Sequence, residues 1–151
     1  MDRIDRKLLA ALQADSQASL AQLADRVGLS SSACHRRMRA LEETGTITGY
    51  GARVDPARVG LNLHALIDIT LESQSREAME RFEEATLASP DILECSLMSG
   101  SADYRLRIAA HDMADFDRLH RECLSQLPGV SVMHTAFVIR PVKPWVGYAL
   151  G

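Results

Sequence analysis

The chain has 151 residues, enough for at most two small domains. Hydrophobic residues make up 46% and charged residues 25%, as in ordinary globular proteins, and no apolar run approaches the ~20 residues of a membrane-spanning helix. The acidic, amphipathic N-terminus is no secretory signal, and Cys34, Cys95 and Cys123 are too far apart to suggest a metal or redox motif. We therefore expect a cytoplasmic protein with reduced, mostly buried cysteines, no membrane association, no metal and no cofactor.

The charge is unevenly distributed although the net charge is only −3. Residues 1–58 contain nine Lys and Arg against seven Asp and Glu, giving +2, whereas residues 59–151 contain eight against thirteen, giving −5. A local basic patch on an acidic chain is sufficient for phosphate contact, and the acidic remainder limits non-specific binding.

Residues 20–39 predict two short helices joined by a glycine turn. Gly28 follows the first helix at the point where a left-handed residue is needed, and Ser30 is placed to cap the second helix. The apolar spacing predicts these inward-facing residues: Leu20, Leu23, Ala24, Val27, Cys34, Met38 and Leu41. This pattern is typical of a helix-turn-helix, whose second helix lies in the major groove of DNA. A plain helical hairpin with solvated arginines is the alternative.

Polar and basic side chains are predicted to point outward from the second helix and to contact DNA. This set comprises Ser30, Ser31, Ser32, His35, Arg36, Arg37 and Arg39. Residues 47–54 predict one or two short strands that form a wing, from which Tyr50 and Arg53 reach the DNA backbone, with plain packing as the alternative. A preceding helix from Asp2 carries Ile4, Leu8, Leu9 and Leu12 on one face. It would complete a three-helix DNA-binding domain over residues 1–54.

Residues 55–60 contain Pro56 and Gly60 and are predicted to form a linker. Beyond them the pattern changes to strand, helix, strand, strand, helix, strand. We predict strands over residues 61–72, 92–98, 104–110 and 130–139, and helices over residues 76–89 and from Asp112 to Pro128. This order indicates an α+β protein whose second domain, residues 61–140, has the ferredoxin-like βαββαβ fold.

Both helices of that fold cover one face of the sheet, so the other face is left bare. Leu66 with Phe137 or Val138 would make this bare face half apolar, which predicts self-association. The tail, residues 141–151, contains Trp145 and Tyr148. They pack either across an oligomer interface or on their own subunit.

Several segments of the chain match a known family. They are Leu29-Ser30-Ser31, Arg36 through Ile47, Gly49-Tyr50, Val54-Asp55-Pro56, Gly100-Ser101-Ala102-Asp103-Tyr104 and Leu127-Pro128-Gly129-Val130. With these motifs, from residue 4 to residue 135, the chain resembles the Lrp/AsnC (feast/famine) family of transcriptional regulators. The resemblance implies a winged helix-turn-helix joined to a ferredoxin-like ligand-binding domain, and homodimers that often assemble to octamers. It also implies a sequence-specific regulator of amino-acid metabolism or transport.

The resemblance further implies an amino-acid effector between subunits, near the Gly-x-x-Asp-Tyr hairpin. The candidate effector residues are Met98, Ser99, Gly100, Ser101, Asp103, Tyr104, His134 and Thr135. Gly100 would let a carboxylate approach backbone N–H groups, and Asp103 would accept hydrogen bonds from an ammonium group. A turn-capping role is the alternative for Asp103.

Three other functions are weighed beside this one. The haem-pathway decarboxylases resemble the family, and His64 and His134 would have to meet in one pocket for such an enzyme. A metal or thiol sensor would use Cys34 and His35, but adjacent helical residues point in different directions. A nucleoid-type architectural protein would bind DNA without an effector. We expect a regulator and not an enzyme.

Overall fold

The computed structural model describes residues 1–150 and divides into two compact units. The first unit contains residues 1–53 together with the tail from residue 142, and the second contains residues 54–141. The tail, predicted as a separate segment, is therefore grouped with the N-terminal unit. None of the helices in residues 1–150 has both the length and the apolar character needed to span a bilayer.

The first unit is built on three helices, α1 (Arg3–Ala14), α2 (Leu20–Val27) and α3 (Ser31–Glu43). Each begins at a side-chain cap that accepts backbone N–H groups: Asp2, Ser19 and Ser30. Gly28 ends α2 with φ +72°, a left-handed conformation that other residues adopt only at a cost. The helices enclose Leu8, Leu12, Leu23, Ala24, Cys34 and Leu41, which confirms the predicted three-helix core.

The predicted strands of the wing are absent, since residues 47–54 form no strand in the described chain. An isolated hairpin is marginal without further strands to pair with it. The segment is held by other hydrogen bonds: the Ile47 amide donates to the Leu41 carbonyl at 3.0 Å, and the Tyr50 hydroxyl donates to Glu42 at 2.8 Å. Burial and the Glu42 carboxylate raise the pKa of Tyr50 to about 12.

The second unit is an antiparallel four-stranded sheet with two helices. A short 3-10 helix (Pro56–Val59) precedes the sheet. The remaining elements are β1 (Leu63–Leu71), α4 (Arg76–Ala88), β2 (Glu94–Leu97), β3 (Tyr104–Ala110), α5 (Met113–Glu122), a second 3-10 helix (Leu124–Gln126) and β4 (Val130–Phe137). The strand order is β2-β3-β1-β4, so both central strands are those with the strongest alternation of apolar residues. The βαββαβ prediction is confirmed.

The core of this unit lies between the sheet and its two helices. Alternate residues of β1 and β3 point into it, including Ile67, Ile69, Leu106 and Ile108, each at most 2% exposed. Phe82 of α4 and Leu119 of α5 close it from the helix side. Each buried side chain of this size stabilises the folded state by about 1.5–3 kcal/mol relative to the same side chain left exposed.

The opposite face of the sheet carries Leu66, as predicted, together with ion pairs. Arg105 donates to Asp68 at 2.6 and 3.0 Å, and Arg107 lies 3.3 Å from Glu94, so ion pairs cross this face. Phe137 does not lie on it, because Phe137 pairs with inward-facing Ala65 and its ring packs on Phe116 at 5.0 Å. Of the two residues predicted as alternatives, Phe137 is therefore wrong. Its neighbour Val138, whose amide donates to the carbonyl of His64 at 2.8 Å, is the one that stays a candidate.

The cysteines are free, as predicted, but only in part buried. Cys34 is buried in the first unit and Cys123 is half-buried, whereas Cys95 is exposed on β2. Cys95 is exposed because β2 is an edge strand.

Candidate DNA-binding and ligand-binding sites

One face of α3 is polar, basic and exposed. Ser32, His35, Arg36 and Arg39 all lie on it, because positions three and four apart share a helix face. Cys34 and Leu41, on the opposite side, are 0% and 6% exposed. Arg36 and Arg39 make no hydrogen bond or ion pair with another side chain in residues 1–150. Their charges are therefore available to phosphates or base edges.

The three serines at the start of α3 have different positions and contacts. Ser30 accepts the Ala33 amide at 3.3 Å as the cap of α3, and its oxygen lies 3.2 Å from that of Ser32. Ser31 is exposed in the first turn, where helix N–H groups attract phosphate. Ser30 therefore orients the helix, and Ser31 and Ser32 are placed at its outer N-terminal end.

Arg37 does not belong to the exposed face. Its guanidinium donates to Asp2 and to Asp5, both at 2.7 Å, and its side chain is only 29% exposed. The same two carboxylates form the capping box of α1. The hydrogen bond from the Asp5 amide, and then the one from Arg37, hold the pKa of Asp2 below its usual value, and Asp5 and Asp2 raise that of Arg37. Arg37 ties the recognition helix to α1, so the prediction of a DNA contact is corrected.

Arg53 is likewise engaged inside the first unit. Its Nη2 atom donates to the backbone carbonyls of Gln13 at 3.1 Å and Val146 at 2.9 Å. Because residues 47–54 form no strand, no strand presents Arg53 to DNA. The packing alternative is the one that the geometry supports.

The Gly-x-x-Asp-Tyr hairpin joins β2 to β3, and its acid is used within the fold. The Asp103 carboxylate accepts the Leu71 amide at 2.7 Å and is also within hydrogen-bond distance of the Gln74 amide group. The Asp103 amide donates to the Ile69 carbonyl at 2.8 Å. Asp103 therefore holds the hairpin against the end of β1, a structural role that differs from the turn-capping alternative because its carboxylate bonds to another strand.

Tyr104 is a core residue and not a pocket wall. It is 1% exposed, its ring lies 4.6 Å from that of Phe82, and its hydroxyl donates to Glu83 at 2.7 Å. Burial, followed by the bond to Glu83, raises the pKa of Tyr104. The expectation of a direct effector contact is corrected, because the side chain points to the helix-covered face.

The remaining hairpin residues are open to solvent. Met98, Ser99, Gly100 and Ser101 are all exposed, and a Cβ placed on Gly100 would meet nothing within 4 Å. Within this chain, nothing restricts residue 100 to glycine.

The two candidates from β4 lie on opposite faces of the sheet. His134 pairs with Asp68 on the face that carries the ion pairs, whereas Thr135 pairs with inward-facing Ile67. His64 also lies on the His134 face, but its carbonyl accepts the amide of Val138, which follows β4 and is four positions from His134. The sheet therefore does not bring together either His134 with Thr135 or His64 with His134.

Some residues that organise these regions were missed from sequence alone. Gln13 contacts the tail through its side-chain amide, and Glu83 and Gln74 bind Tyr104 and Asp103. These contacts join residues far apart in sequence, so no local pattern signals them. The burial of Tyr104 did have a signal, since it continues the inward series of Leu106 and Ile108.

Family models match both parts of the chain. A winged helix-turn-helix DNA-binding model matches residues 1–48. The model of the Lrp/AsnC ligand binding domain matches residues 64–145.

Individual relatives cover almost the whole chain. The Bkd operon transcriptional regulator of Pseudomonas aeruginosa is 38% identical, with 94% of this chain and 93% of that protein covered. The leucine-responsive regulatory protein of Escherichia coli K12 is 39% identical, with 95% and 87% covered. A transcriptional regulator from Neisseria meningitidis, solved as a complex with L-Met, has 31% identity and a TM-score of 0.92 over 99% of this chain and 97% of that one.

The fold, the two matched models and these relatives agree over the full length. The chain belongs to the Lrp/AsnC family of transcriptional regulators.

Proposed function

We propose that this protein is a sequence-specific regulator of amino-acid metabolism or transport genes, whose affinity for DNA is set by a bound amino acid. The DNA surface is Ser31, Ser32, His35, Arg36 and Arg39. The observation that carries this proposal is the unpaired, exposed basic face of α3 above a buried opposite face. Because its relatives are transcription regulators, we place it in the cytoplasm and assign it no catalytic activity.

We propose the effector site at the exposed hairpin residues Met98, Ser99, Gly100 and Ser101. Backbone N–H groups of an open glycine-containing turn are suited to a carboxylate. The N. meningitidis relative solved with L-Met supports an amino acid as ligand class. Since one chain leaves this hairpin open, we infer that a second subunit completes the site in a homodimer or larger homo-oligomer.

The mechanism we propose is an equilibrium between two assembly geometries. An amino acid that binds one geometry more tightly shifts the population toward it, and the spacing of the recognition helices follows. An architectural DNA binder would lack this response. Light scattering with and without the amino acid therefore distinguishes the two functions.

The DNA surface is tested with the three arginines of α3. Binding to promoter DNA from a neighbouring gene is measured at several salt concentrations. For an arginine that contacts a phosphate, Arg36→Ala or Arg39→Ala should lower the slope of log affinity against log salt concentration by about 1. For an arginine that contacts a base, the substitution should weaken binding by about 1–3 kcal/mol. Arg37→Ala is the matched control, because its guanidinium is held by Asp2 and Asp5. An equal fall in slope for Arg37→Ala would contradict the assignment of Arg36 and Arg39, and not Arg37, to the DNA surface.

The effector site is tested by a thermal-shift screen of the amino acids. A ligand that binds the folded protein raises its melting temperature. Gly100→Val should weaken amino-acid binding about tenfold. It should not unfold the chain, because the space around residue 100 is open. Leu87→Val, on the exposed side of α4, is the control. A Gly100→Val protein with an unchanged response would refute the placement of the site.

A further inference from the structure

A cavity of about 410 Å³ lies within the first unit. Its walls come from the C-terminal half of α1, from residues 46–53 and from the tail. Most of the lining is apolar, including Leu9, Leu12, Ile47, Tyr50, Tyr148 and Leu150. The volume is within the range of about 300–1,000 Å³ that small-molecule sites occupy.

The wall formed by the tail is fixed by specific contacts. The Gln13 side chain donates to the Tyr148 carbonyl at 3.0 Å and accepts the Tyr148 amide at 2.6 Å. Gly147 has φ +115°, and a Cβ at this position would lie 2.3 Å from the Gln13 side-chain oxygen. The approach of the tail to α1 therefore requires glycine at residue 147, and the cavity is a defined feature of this unit.

The charged side chain that lines the cavity is positive. Arg53 lines it, and its Nη2 atom is bound to two backbone carbonyls, but no carboxylate in residues 1–150 pairs with its charge. Its Nε and Nη1 groups have no acceptor in the same part of the chain. No Asp or Glu lines the cavity, and the nearby Glu42 accepts the Tyr50 hydroxyl.

An apolar cavity with an unpaired guanidinium is complementary to an apolar anion. A carboxylate gives the strong, charge-assisted pairing that a planar guanidinium favours. A free amino acid would also bring an ammonium group, for which the lining offers no carboxylate.

We propose that this cavity binds a small aliphatic or aromatic monocarboxylate without an ammonium group, with its carboxylate on Arg53 and its hydrocarbon part against Leu9, Leu12 and Tyr148. The site is separate from the hairpin at residues 98–101. The proposal does not rest on the amino-acid effector proposed there.

Trp145 provides the readout, because it is the only tryptophan and its ring lies 4.8 Å from that of Tyr148, which lines the cavity. The full chain is titrated with 4-methylpentanoate, and Trp145 fluorescence is followed. The neutral alcohol 4-methylpentan-1-ol and the amino acid L-leucine are the comparison ligands. We expect saturable binding of the acid, with an affinity about tenfold or more above that of either comparison ligand.

Arg53→Gln should weaken binding of the acid about tenfold or more, and Arg53→Lys should restore part of the loss by returning the charge. Arg58→Gln, outside this unit, is the matched control and should bind as the parent protein does. Because Arg53 also holds the tail, Leu9→Phe is a second variant that fills the cavity and keeps the guanidinium. Equal binding of acid and alcohol, an unaffected Arg53→Gln protein, or no saturable fluorescence change up to the solubility limit would overturn the proposal.

Discussion

The outer face of α3 and the Gly-x-x-Asp-Tyr hairpin both carry family motifs, but their side chains differ in whether they are free or bound within the chain. On α3, Arg36 and Arg39 are exposed and unpaired within residues 1–150. In the hairpin, Asp103 and Tyr104 are engaged by the chain's own backbone and core. The comparison shows that a motif marks a functional region without making each of its residues a contact.

The largest effect is expected from Tyr104→Ala, which removes a ring that is 1% exposed. Loss of a buried aromatic side chain should lower the free energy of unfolding by about 3–5 kcal/mol, measured by urea denaturation. Tyr104→Phe keeps the packing on Phe82 and loses only the bond to Glu83, so its cost should be about 1–2 kcal/mol. A Tyr104→Ala protein of unchanged stability, but without an amino-acid response, would restore this residue to the effector site.

A smaller loss is expected from Asp103→Ala, because the Leu71 amide would lose its acceptor. A partly buried donor left without a partner should cost about 1–3 kcal/mol in the free energy of unfolding. The exposed Asp91→Ala on the loop before β2 serves as the control. If Asp103→Ala unfolds at the same urea concentration as the control, its carboxylate is not structural and the contrast with α3 fails.

The smallest effect concerns Asp2, one of the two acids that pair with Arg37. The pKa of Asp2 is lowered in the folded chain, so its contribution to stability is complete above its unfolded pKa and is lost as the pH falls through the folded value. Asp2→Asn keeps a capping side chain and removes the charge. The difference in unfolding free energy between the parent and Asp2→Asn should therefore shrink as pH falls from about 5 toward 2. A difference that stays constant with pH would exclude an ionised Asp2 as the stabilising group.

Local patterns were sufficient for most of the fold. The cap at Ser30 and the turn at Gly28 depend on neighbouring residues only, and each was placed correctly. The two central strands, β1 and β3, were also predicted, because the alternation of apolar residues along a strand is a local pattern.

Features that depend on distant partners were not predictable. Arg37 is adjacent in sequence to Arg36, but ion pairs to Asp2 and Asp5, more than thirty positions away, decide its role. Residues 47–54 contain strand-forming residue types but lack a strand to pair with. The contacts between Gln13 and Tyr148 span 135 positions.

The return of the chain to its first unit at residue 142 has a practical consequence. A fragment cut at residue 53 would retain Gln13 and Arg53 but lose the backbone groups of Val146 and Tyr148 to which they are bonded. The excised fragment would thus be an incomplete folding unit. A minimal DNA-binding fragment that keeps these contacts has to contain both ends of the polypeptide, for instance with the tail fused to residue 53 through a flexible linker.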